Sequence, residues 1–568
     1  MRGSRQLTEV EAVTSRDRQA AVIGSALWAA AGDALGWITE LGDEGTVRHR
    51  TGSSSVSRTV EWRRRIGGKF GPTVRLPAGT YSDDTQLRLA VGRATGPTGV
   101  FDAEAFAKIE LPVWSSYSLG AGRGTSAAAS NLAKTSVSWF NNFFGQADGR
   151  NYFVAGGNGA AMRIQPHVWK SDPSRPDTFL PDVLRDSVIT HGAPKGIGGA
   201  VFHSLCVAYA LNEGRAPELN EWRNFIQHLE YCEAIIKSDD KLGLFWLKAW
   251  ESKAGRSLGD AFKDEITQAQ RAIGEIAEFA DSPARYEDVL QALGCLDEAT
   301  RGAGIGTALA AAVVANYVGK VGEEDALLIA ANALHSDTDT IASMAGAIFG
   351  CFASVDMTWD IQDKDYIASE ARRMAALSSG QKVPSFHYPD LLSWTPPTTQ
   401  SDGVGLLNGT LFMAGLGGLK EIGEEYETND AIWQWASLPF GQTVLTKRRR
   451  KPRLLGPADA PLVPVPAKQA SQRSPAPSPP KSRQPDFFAG SQSSFVTGGN
   501  VEARRVVEPD LEKLDLDALT SLVIDSGFPA ALIGRILLAL ATRENGVEAA
   551  IAFSAIVAKA VRSRRKRV

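Results

Sequence analysis

The sequence has few cysteines and no excess of charge of either sign. Its only four cysteines are scattered at Cys206, Cys232, Cys295 and Cys351, and no CxxC pair occurs in 568 residues. This scarcity excludes a disulfide framework and a cysteine-rich zinc site, and it predicts a reducing, cytoplasmic environment. The 61 Lys and Arg residues against 64 Asp and Glu give a net charge of -3. No overall basic field is therefore available to recruit nucleic acid.

We also expect no leader and no membrane span. The first residues, MRGSRQLTEVEAVTSRDRQ, are polar, which is not the pattern of a secretory signal. No uninterrupted apolar run reaches the length that a membrane span requires, so we expect no membrane partner. The chain is nevertheless 43% hydrophobic, which is enough for a large core. At about 150 residues per domain, its length allows two to four domains.

Small and apolar residues recur at helical spacing through much of the chain. In AAVIGSALWAAAGDALG at 20–36, apolar side chains follow one another at three- and four-residue steps. This spacing predicts a helix with one buried face, and its glycines and alanines allow a neighbouring helix to approach closely. Similar stretches occur at 303–317, 325–334 and 341–352, whereas strand-like alternation is sparse before residue 395. The fold class predicted is mainly α, a compact multi-helix bundle that forms the catalytic domain at 19–395.

The composition changes after WTPPTTQSDG at 394–403. Residues 396–450 contain Gly-rich runs with Trp433 and Trp435, and we interpret them as a small appended subdomain of unassigned fold. Residues 451–505, which follow the start of the basic run KRRRKPR, are rich in Pro and Ser and are predicted to be a disordered linker. Helical periodicity returns in 506–568, which predicts a short C-terminal helical region that ends in the basic tail RSRRKR.

This C-terminal part has two interpretations that the sequence leaves open. Charge runs are often no more than a solvated tail that keeps the protein soluble. Alternatively, the linker, the short helices and the basic runs form a tethered module that docks on an acidic protein or on nucleic acid.

Two acidic clusters, SDDT at 82–85 and DTDT at 337–340, each precede a predicted helix. Either cluster alone is typical of helix capping, for which a single oxygen is sufficient. Each cluster, however, supplies two carboxylates and two hydroxyls. If the two loops meet, they form a cage of oxygen ligands that suits a hard divalent cation, with Mg²⁺ favoured. Asp33 and Glu40, seven residues apart in GDALGWITE, are a third acidic element.

Several glycine-rich pieces allow the backbone to approach a ligand closely. They include GAGRGT at 120–125 and GGNGAAM at 156–162. None is followed by GK[ST], so a phosphate-binding P-loop is not favoured, although their N–H groups suit a pyrophosphate.

Taken together, the motifs resemble a known family. GDALGWITE, YSDDTQ, GAGRGTSAA, GGNGAAMRIQP, THG and SDTDTIASMAGAIFG occur in the order and at the approximate distances found in the ADP-ribosylglycohydrolases, the dinitrogenase reductase-activating glycohydrolase type of ADP-ribosylhydrolase. The resemblance covers about 19–394. It implies a compact all-α fold, two Mg²⁺ ions, and cleavage of the bond to the anomeric carbon of ADP-ribose.

The resemblance also carries residue roles onto this sequence. The implied metal ligands are Ser82, Asp83, Asp84, Asp337, Asp339 and Thr340. The implied catalytic residues are Glu40, Asp83, Asp84, Asp337 and Asp339. The residues that would bind ADP-ribose are Gly122, Gly124, Gly157, Asn158, Gly159 and His191.

The chain departs from the family pattern at the rim of the implied cleft. Many members have Gly-Gly where this chain has His335-Ser336, and an aromatic residue where it has Gly156. The acidic positions are all retained, so we expect a Mg²⁺-dependent hydrolase that releases ADP-ribose from an ADP-ribosylated protein or another acceptor by attack of an activated water. The alternatives are a non-catalytic module that binds ADP-ribose or neutralises an ADP-ribosyltransferase, and a hydrolase of another nucleoside or NAD-like metabolite.

Overall fold

The computed structural model describes residues 6–147, 149–462, 511, 514–543 and 546–565. The chain divides into two compact units, Met1–Gln472 and Arg473–Val568, and each is described by itself. Helices dominate both units, which confirms the prediction of a mainly α fold.

The first unit is a bundle of helices joined by turns and by longer loops. Its α-helices are α1 (Gln6–Thr39), α2 (Glu44–Thr51), α3 (Asp83–Arg93), α4 (Ala103–Ala105), α5 (Leu111–Trp114), α6 (Arg123–Leu132), α7 (Gln165–Trp169), α8 (Leu180–Thr190), α9 (Pro194–Glu213), α10 (Leu219–Gln227), α11 (Cys232–Ser238), α12 (Leu247–Ala254), α13 (Leu258–Ile276), α14 (Tyr286–Ala292), α15 (Gly304–Val321), α16 (Glu323–Ala331), α17 (Thr338–Phe349) and α18 (Lys364–Ser378). Phe106–Glu110 and Leu242–Trp246 are π-helical, and 3-10 turns occupy Tyr152–Val154, Pro176–Thr178, His228–Tyr231, Pro283–Arg285, Gln400–Asp402 and Pro457–Asp459.

Helices α1 and α17 form the centre of the bundle and lie antiparallel in very close contact. A Cβ atom on Gly32 would lie 2.3 Å from the Ala342 carbonyl oxygen, and one on Gly36 would lie 2.4 Å from that of Thr338. At the other end of the pair, Gly24 faces Gly350 in the same way. Only glycine permits this approach, because any side chain would force the two backbones apart. The packing brings the C-terminal end of α1 next to the N-terminal end of α17.

Two core helices bear on the expectation that no segment spans a membrane. Arg18–Thr39 within α1 and Gly304–Val321 (α15) are long and apolar enough to cross a membrane by length and composition. In this structure 78% and 67% of their apolar windows, respectively, are buried inside the molecule. Both helices therefore bury most of their apolar surface against other parts of the chain, as core helices do.

The strands form two groups. One is a hairpin between α2 and α3 in the chain, and the other is a β region (404–454) that follows the last helix of the bundle. The hairpin consists of β1 (Trp62–Arg65) and β2 (Thr73–Leu76), paired antiparallel. The β region contains β3 (Val404–Leu407), β4 (Thr410–Met413), β5 (Gly417–Gly418), β6 (Lys420–Glu427), β7 (Ala431–Ser437), β8 (Thr443–Arg449) and β9 (Arg453–Leu454). One sheet has the order β5-β4-β3-β9, with β9 parallel to β3, and the other is the antiparallel sheet β6-β7-β8.

The β region belongs to the same compact unit as the bundle and is attached to it by buried polar contacts. Arg93 on α3 forms a buried ion pair with Glu110 at 2.8 Å and donates a second hydrogen bond to Gln442 Oε1 at 2.7 Å. The Thr443 N–H donates to the Asp363 carboxylate at 2.7 Å. The predicted linker at 451–505 falls largely outside the described residues, and its first residues, 451–462, continue the β region.

The second unit contains the helices Leu516–Asp525, Ala530–Ala541 and Gly546–Arg565. Their small core includes Leu519, Val523, Ile536, Leu540 and Phe553, all fully buried. This confirms the predicted C-terminal helical unit. In the first unit, the four cysteines are free and buried, so none is poised for disulfide formation.

Candidate metal centre and ligand cleft

The first acidic cluster is held at the start of α3 by a buried carboxylate from α1. Asp33 accepts hydrogen bonds from the backbone N–H of Ser82 at 2.8 Å and from that of Thr85 at 2.9 Å. The Ser82 hydroxyl accepts one from the Asp84 N–H at 3.3 Å. The N–H groups of Ser82, Asp84 and Thr85 are thus satisfied by Asp33 and by the Ser82 hydroxyl. The carboxylates of Asp83 and Asp84 are consequently not needed for capping.

The second acidic cluster is held at the start of α17. Thr338 turns inward and donates to the Gly36 carbonyl at 2.9 Å, which fixes the loop on the end of α1. Asp337 Oδ2 accepts a hydrogen bond from Asn158 Nδ2 at 2.7 Å. Asp339 Oδ1 accepts one from the Thr340 N–H at 2.9 Å. Each carboxylate therefore has a defined orientation that does not depend on solvent.

The two clusters, about 250 residues apart in the sequence, meet in space. Thr340 Oγ1 donates to Asp84 Oδ1 at 3.3 Å, which joins the first loop to the second. Carboxylate oxygens of Glu40, Asp337 and Asp339 all lie within 4.8 Å of one another. Of the predicted catalytic and metal-binding residues, the structure therefore brings together those of both loops with Glu40. Their roles as ligands remain predictions.

The charges in this cluster oppose one another. Burial raises the pKa of Asp83, Asp84 and Asp339 well above the ordinary range of a carboxylic acid, and neighbouring carboxylates raise it further. The buried Asp84 Oδ2 has no hydrogen-bond partner. A bound cation would supply both the missing partner and the missing positive charge. An all-oxygen donor set with a free carboxylate oxygen fits a hard divalent ion such as Mg²⁺.

Glu40 lies one residue beyond the end of α1 and is half-buried. Its Oε2 accepts a hydrogen bond from Arg64 Nη1 of the β1–β2 hairpin at 2.9 Å. Burial raises the pKa of Glu40, Arg64 lowers it, and Asp337 raises it again. Glu40 is thus held between a cation and two carboxylates.

The loop before α6 turns sharply beside the first acidic cluster. Gly120 has φ +80, and a Cβ there would lie 2.5 Å from Asp83 Oδ1, so both its conformation and its position require glycine. Ala121 has φ +146, which is strained for a residue with a side chain. The Gly122 backbone faces Asp83 and favours the ionised form of that carboxyl by lowering its pKa.

The remaining glycines of the predicted cleft converge on one histidine. A Cβ on Gly124, Gly157 or Gly159 would lie 3.8, 3.9 or 3.3 Å from His191 Nε2. The other ring nitrogen, Nδ1, is hydrogen-bonded to Thr190 Oγ1 at 2.7 Å. Burial, with the nearby Arg163 charge, lowers the pKa of His191 to about 3, so the ring is neutral near pH 7.

Asn158 connects this glycine cleft to the acidic cluster. Its N–H donates to the Gly302 carbonyl at 2.9 Å, and its side chain holds Asp337 as described above. The structure therefore brings the predicted cleft residues Gly157, Asn158, Gly159, Gly124 and His191 to one wall of the site. Gly122 lies instead against Asp83, on the side of the first acidic loop.

Sequence reasoning missed two groups at the site. The sequence marks Asp33 as an acidic residue but gives no signal that it caps α3, because Asp33 and Ser82 are 49 residues apart in the chain. Arg64 had no local signal, because a four-residue strand that contains three arginines does not show apolar alternation.

The family model of the ADP-ribosylglycohydrolases matches residues 14–381. A solved structure described as an ADP-ribosylglycohydrolase-related protein complex aligns with 64% of this chain and 99% of its own, at 20% sequence identity and a TM-score of 0.40. No curated protein matches the chain.

Proposed function

Because the chain belongs to the ADP-ribosylglycohydrolase family, we propose that it is a magnesium-dependent hydrolase that removes ADP-ribose from an ADP-ribosylated acceptor. The observation that carries this proposal is the meeting of the two acidic loops. Thr340 bonds Asp84 at 3.3 Å, and three further carboxylates converge within 4.8 Å. Buried, mutually repelling acids are costly for folding, so a functional reason for their retention is favoured.

The residues that would hold the metal are the predicted set. Ser82, Asp83 and Asp84 would bind from the start of α3, and Asp337, Asp339 and Thr340 from the start of α17. When bound, magnesium supplies positive charge that polarises oxygen atoms and makes a water more acidic. The ligands themselves are held by groups that the structure shows: Asp33 fixes the first loop, and Asn158 orients Asp337.

Other side chains would handle the substrate and the water. Glu40 lies at the edge of the acidic cluster, where it is suited to accept a proton from the attacking water and to orient it. The glycines around His191 leave room for ADP-ribose, and their backbone N–H groups are suited to its pyrophosphate. The neutral His191 can exchange hydrogen bonds there without adding a charge. Carboxylates near the anomeric carbon stabilise the positive charge that develops when its bond breaks.

The rival function is a non-catalytic ADP-ribose-binding or transferase-neutralising protein. A pure binder has no need for the buried acids Asp83, Asp84 and Asp339, whose raised pKa values reflect the free-energy cost of burying their charges.

The residues at the rim of the cleft that depart from the family pattern affect which acceptor group the site can accommodate. His335 has φ +71, a conformation that glycine adopts more easily, and it is exposed beside the second acidic loop. We therefore place the choice of acceptor, whether arginine, serine or nucleic acid, at this rim.

A panel of ADP-ribosylated substrates tests the proposal. Arginine-linked, serine-linked and nucleic-acid-linked ADP-ribose are incubated with the full chain in Mg²⁺ and in EDTA, and free ADP-ribose is measured. We expect release from at least one substrate in Mg²⁺ and none in EDTA. Asp339→Asn should release no ADP-ribose, whereas its control Asp240→Asn, an exposed acid outside the cluster, should keep full activity. Tight binding of ADP-ribose with no turnover on any substrate would instead support the rival function.

A further inference from the structure

We propose that Arg64 is a positioning residue for Glu40, and that the β region (404–454) holds the hairpin from which Arg64 projects. The role of Arg64 in turnover rests on the proposed function, because it acts through Glu40. The support of the hairpin by the β region is a structural claim that does not depend on that function. The proposal assigns a task at the catalytic site to a segment that follows the family-matched residues 14–381.

The β1–β2 hairpin presents Arg64 to the site because its strand alternates. Trp62 and Arg64 face the bundle, whereas Arg63 and Arg65 are exposed on the opposite face. Trp62 is 2% exposed and packs edge-on against Trp37, with ring centroids 5.1 Å apart. The Arg64 guanidinium lies over the same Trp37 ring at 5.3 Å. These contacts fix the guanidinium plane beside the end of α1.

The ion pair with Arg64 opposes the repulsion between the Glu40 carboxylate and the neighbouring carboxylates of Asp337 and Asp339. Glu40 lies within 4.8 Å of carboxylate oxygens of both Asp337 and Asp339, which would push its side chain outward. Among the described residues, Arg64 is the one cation paired with the Glu40 carboxylate. Arg50 also approaches, but it donates to the Glu40 backbone carbonyl at 3.0 Å and does not fix the side chain.

The β region holds the hairpin through one aromatic face. Trp433 and Trp435 are two residues apart on β7 and therefore point to the same side of the sheet, and Tyr426 on β6 pairs with Trp433. The Trp433 ring lies against Gly67 in the hairpin turn, where a Cβ atom would be 2.6 Å away. Trp435 Nε1 donates to the Arg75 carbonyl at 3.2 Å, and the Arg75 N–H donates to the Tyr426 hydroxyl at 3.4 Å.

The hairpin is held by the bundle through the buried Trp62, Val74 and Leu76, and by the β region through the aromatic face. Its strands have four residues each, and an isolated two-stranded hairpin is marginally stable in water. The aromatic face therefore contributes to the position of Arg64, and through Arg64 to that of Glu40. In this way the β region acts on the site through the hairpin.

The first experiment compares Arg64→Gln with its neighbour Arg63→Gln, which removes the same charge from the exposed face of the same strand. We expect Arg64→Gln to lower kcat by about tenfold with KM changed by less than about twofold, because a misplaced Glu40 affects turnover more than binding. Arg63→Gln should leave both unchanged. Arg64→Lys, which keeps the charge, should recover part of kcat.

A double-mutant cycle separates positioning from a general effect. If Arg64 acts through Glu40, Arg64→Gln should cause no further loss in a Glu40→Gln background. Calorimetry with Mg²⁺ alone should show that Arg64→Gln does not weaken metal binding, since it removes a positive charge near the cation site. Additive losses in the cycle, or equal damage from Arg63→Gln, would overturn the role of Arg64.

The second experiment tests the β region without any substrate. Hydrogen exchange of the hairpin amides at 62–76 is measured for the wild-type chain, for Trp435→Phe and for Trp433→Leu. Trp435→Phe keeps a ring and loses the N–H donor, so it should fold and yet exchange these amides faster. Amides of α9, distant from the contact, are the internal control. Unchanged exchange rates of the hairpin amides in both variants would refute the claim that the β region holds the hairpin. If the wild-type chain hydrolyses no ADP-ribosylated substrate, the proposed function fails. The exchange experiment still tests whether the β region holds the hairpin, because it needs no substrate.

Discussion

At the scale of single residues, burying the acids of the candidate site opposes folding. Asp339 is buried, and its burial together with Glu40, Asp337 and Asp84 raises its pKa well above the ordinary value. A carboxyl with a raised pKa favours its protonated form, so its contribution to stability is lost as the pH rises through the folded-state pKa.

We therefore predict that Asp339→Asn abolishes hydrolysis and raises stability. At pH 7 without metal, the isosteric amide avoids the penalty of a buried charge, and the free energy of unfolding should rise by about 1 kcal/mol or more. Urea unfolding in EDTA measures this, alongside an assay of ADP-ribose release in Mg²⁺. Asp240→Asn is the control and should change neither quantity. A stability loss in Asp339→Asn would mean that the carboxylate is structural.

A buried histidine away from the acids predicts a pH dependence of the opposite sign. Gln165 Nε2 can only donate, so His203 Nε2 at 2.8 Å accepts, and the ring is neutral. Burial, with the Arg88 charge, lowers the pKa of His203 to about 3 from 6.5. Its contribution to stability is therefore complete above about pH 6.5 and is lost as the pH falls toward about 3.

The comparison of wild-type protein with His203→Gln isolates this effect. As the pH falls below about 6.5, the unfolding free energy of the wild type should fall relative to that of the variant, by on the order of 1 kcal/mol per pH unit. Denaturant unfolding at several pH values measures the difference. A constant difference between the two proteins from pH 7 to pH 4 would mean that the pKa of His203 is not lowered.

At the scale of elements, the glycine contact between α1 and α17 determines the site. Gly36 lies against Thr338 and Asp339 at the point where Glu40 and Asp337 must come together. Gly36→Ala would place a methyl group 2.4 Å from the Thr338 carbonyl oxygen, so the helices must separate.

We predict that Gly36→Ala lowers the unfolding free energy by about 1–3 kcal/mol, the usual cost of overpacking, and reduces hydrolysis by displacing the second acidic loop. Gly319→Ala is the matched control: Gly319 is an exposed glycine of α15 with open space around it. There the same substitution should raise stability by about 1 kcal/mol through helix propensity. Thermal unfolding and activity of both variants measure the contrast, and equal behaviour would contradict the close-packing argument.

At the scale of the whole molecule, the site lies entirely in the first unit, Met1–Gln472. We predict that removal of Arg473–Val568 leaves kcat/KM on a small ADP-ribosyl substrate unchanged. A tethered docking role for the second unit predicts, in addition, weaker binding of an acidic partner. Fluorescence anisotropy with a DNA duplex, at low and high salt, measures one such partner, and the difference from the full chain should shrink at high salt. Equal binding by both proteins at low salt would favour the solvated-tail interpretation.

The sequence alone determined the helical class of the fold and indicated the residues that we propose for its chemistry. Apolar residues at three- and four-residue spacing predicted α1 and α17, because helix periodicity is a local property. The acidic clusters at the starts of α3 and α17 were evident for the same reason: both are contiguous in the chain. The β region was not assigned, since short strands are stable only through their partners and carry little local signal.

The tertiary structure decided how these pieces act together. Nothing near Asp84 in the sequence indicates that Thr340 bonds it, and nothing near Glu40 indicates Arg64. Both contacts join segments that are far apart in the chain, and they depend on the close approach of α1 to α17 and on the hairpin against the β region. Contacts of this kind arise from packing between elements, and periodicity within an element does not specify them.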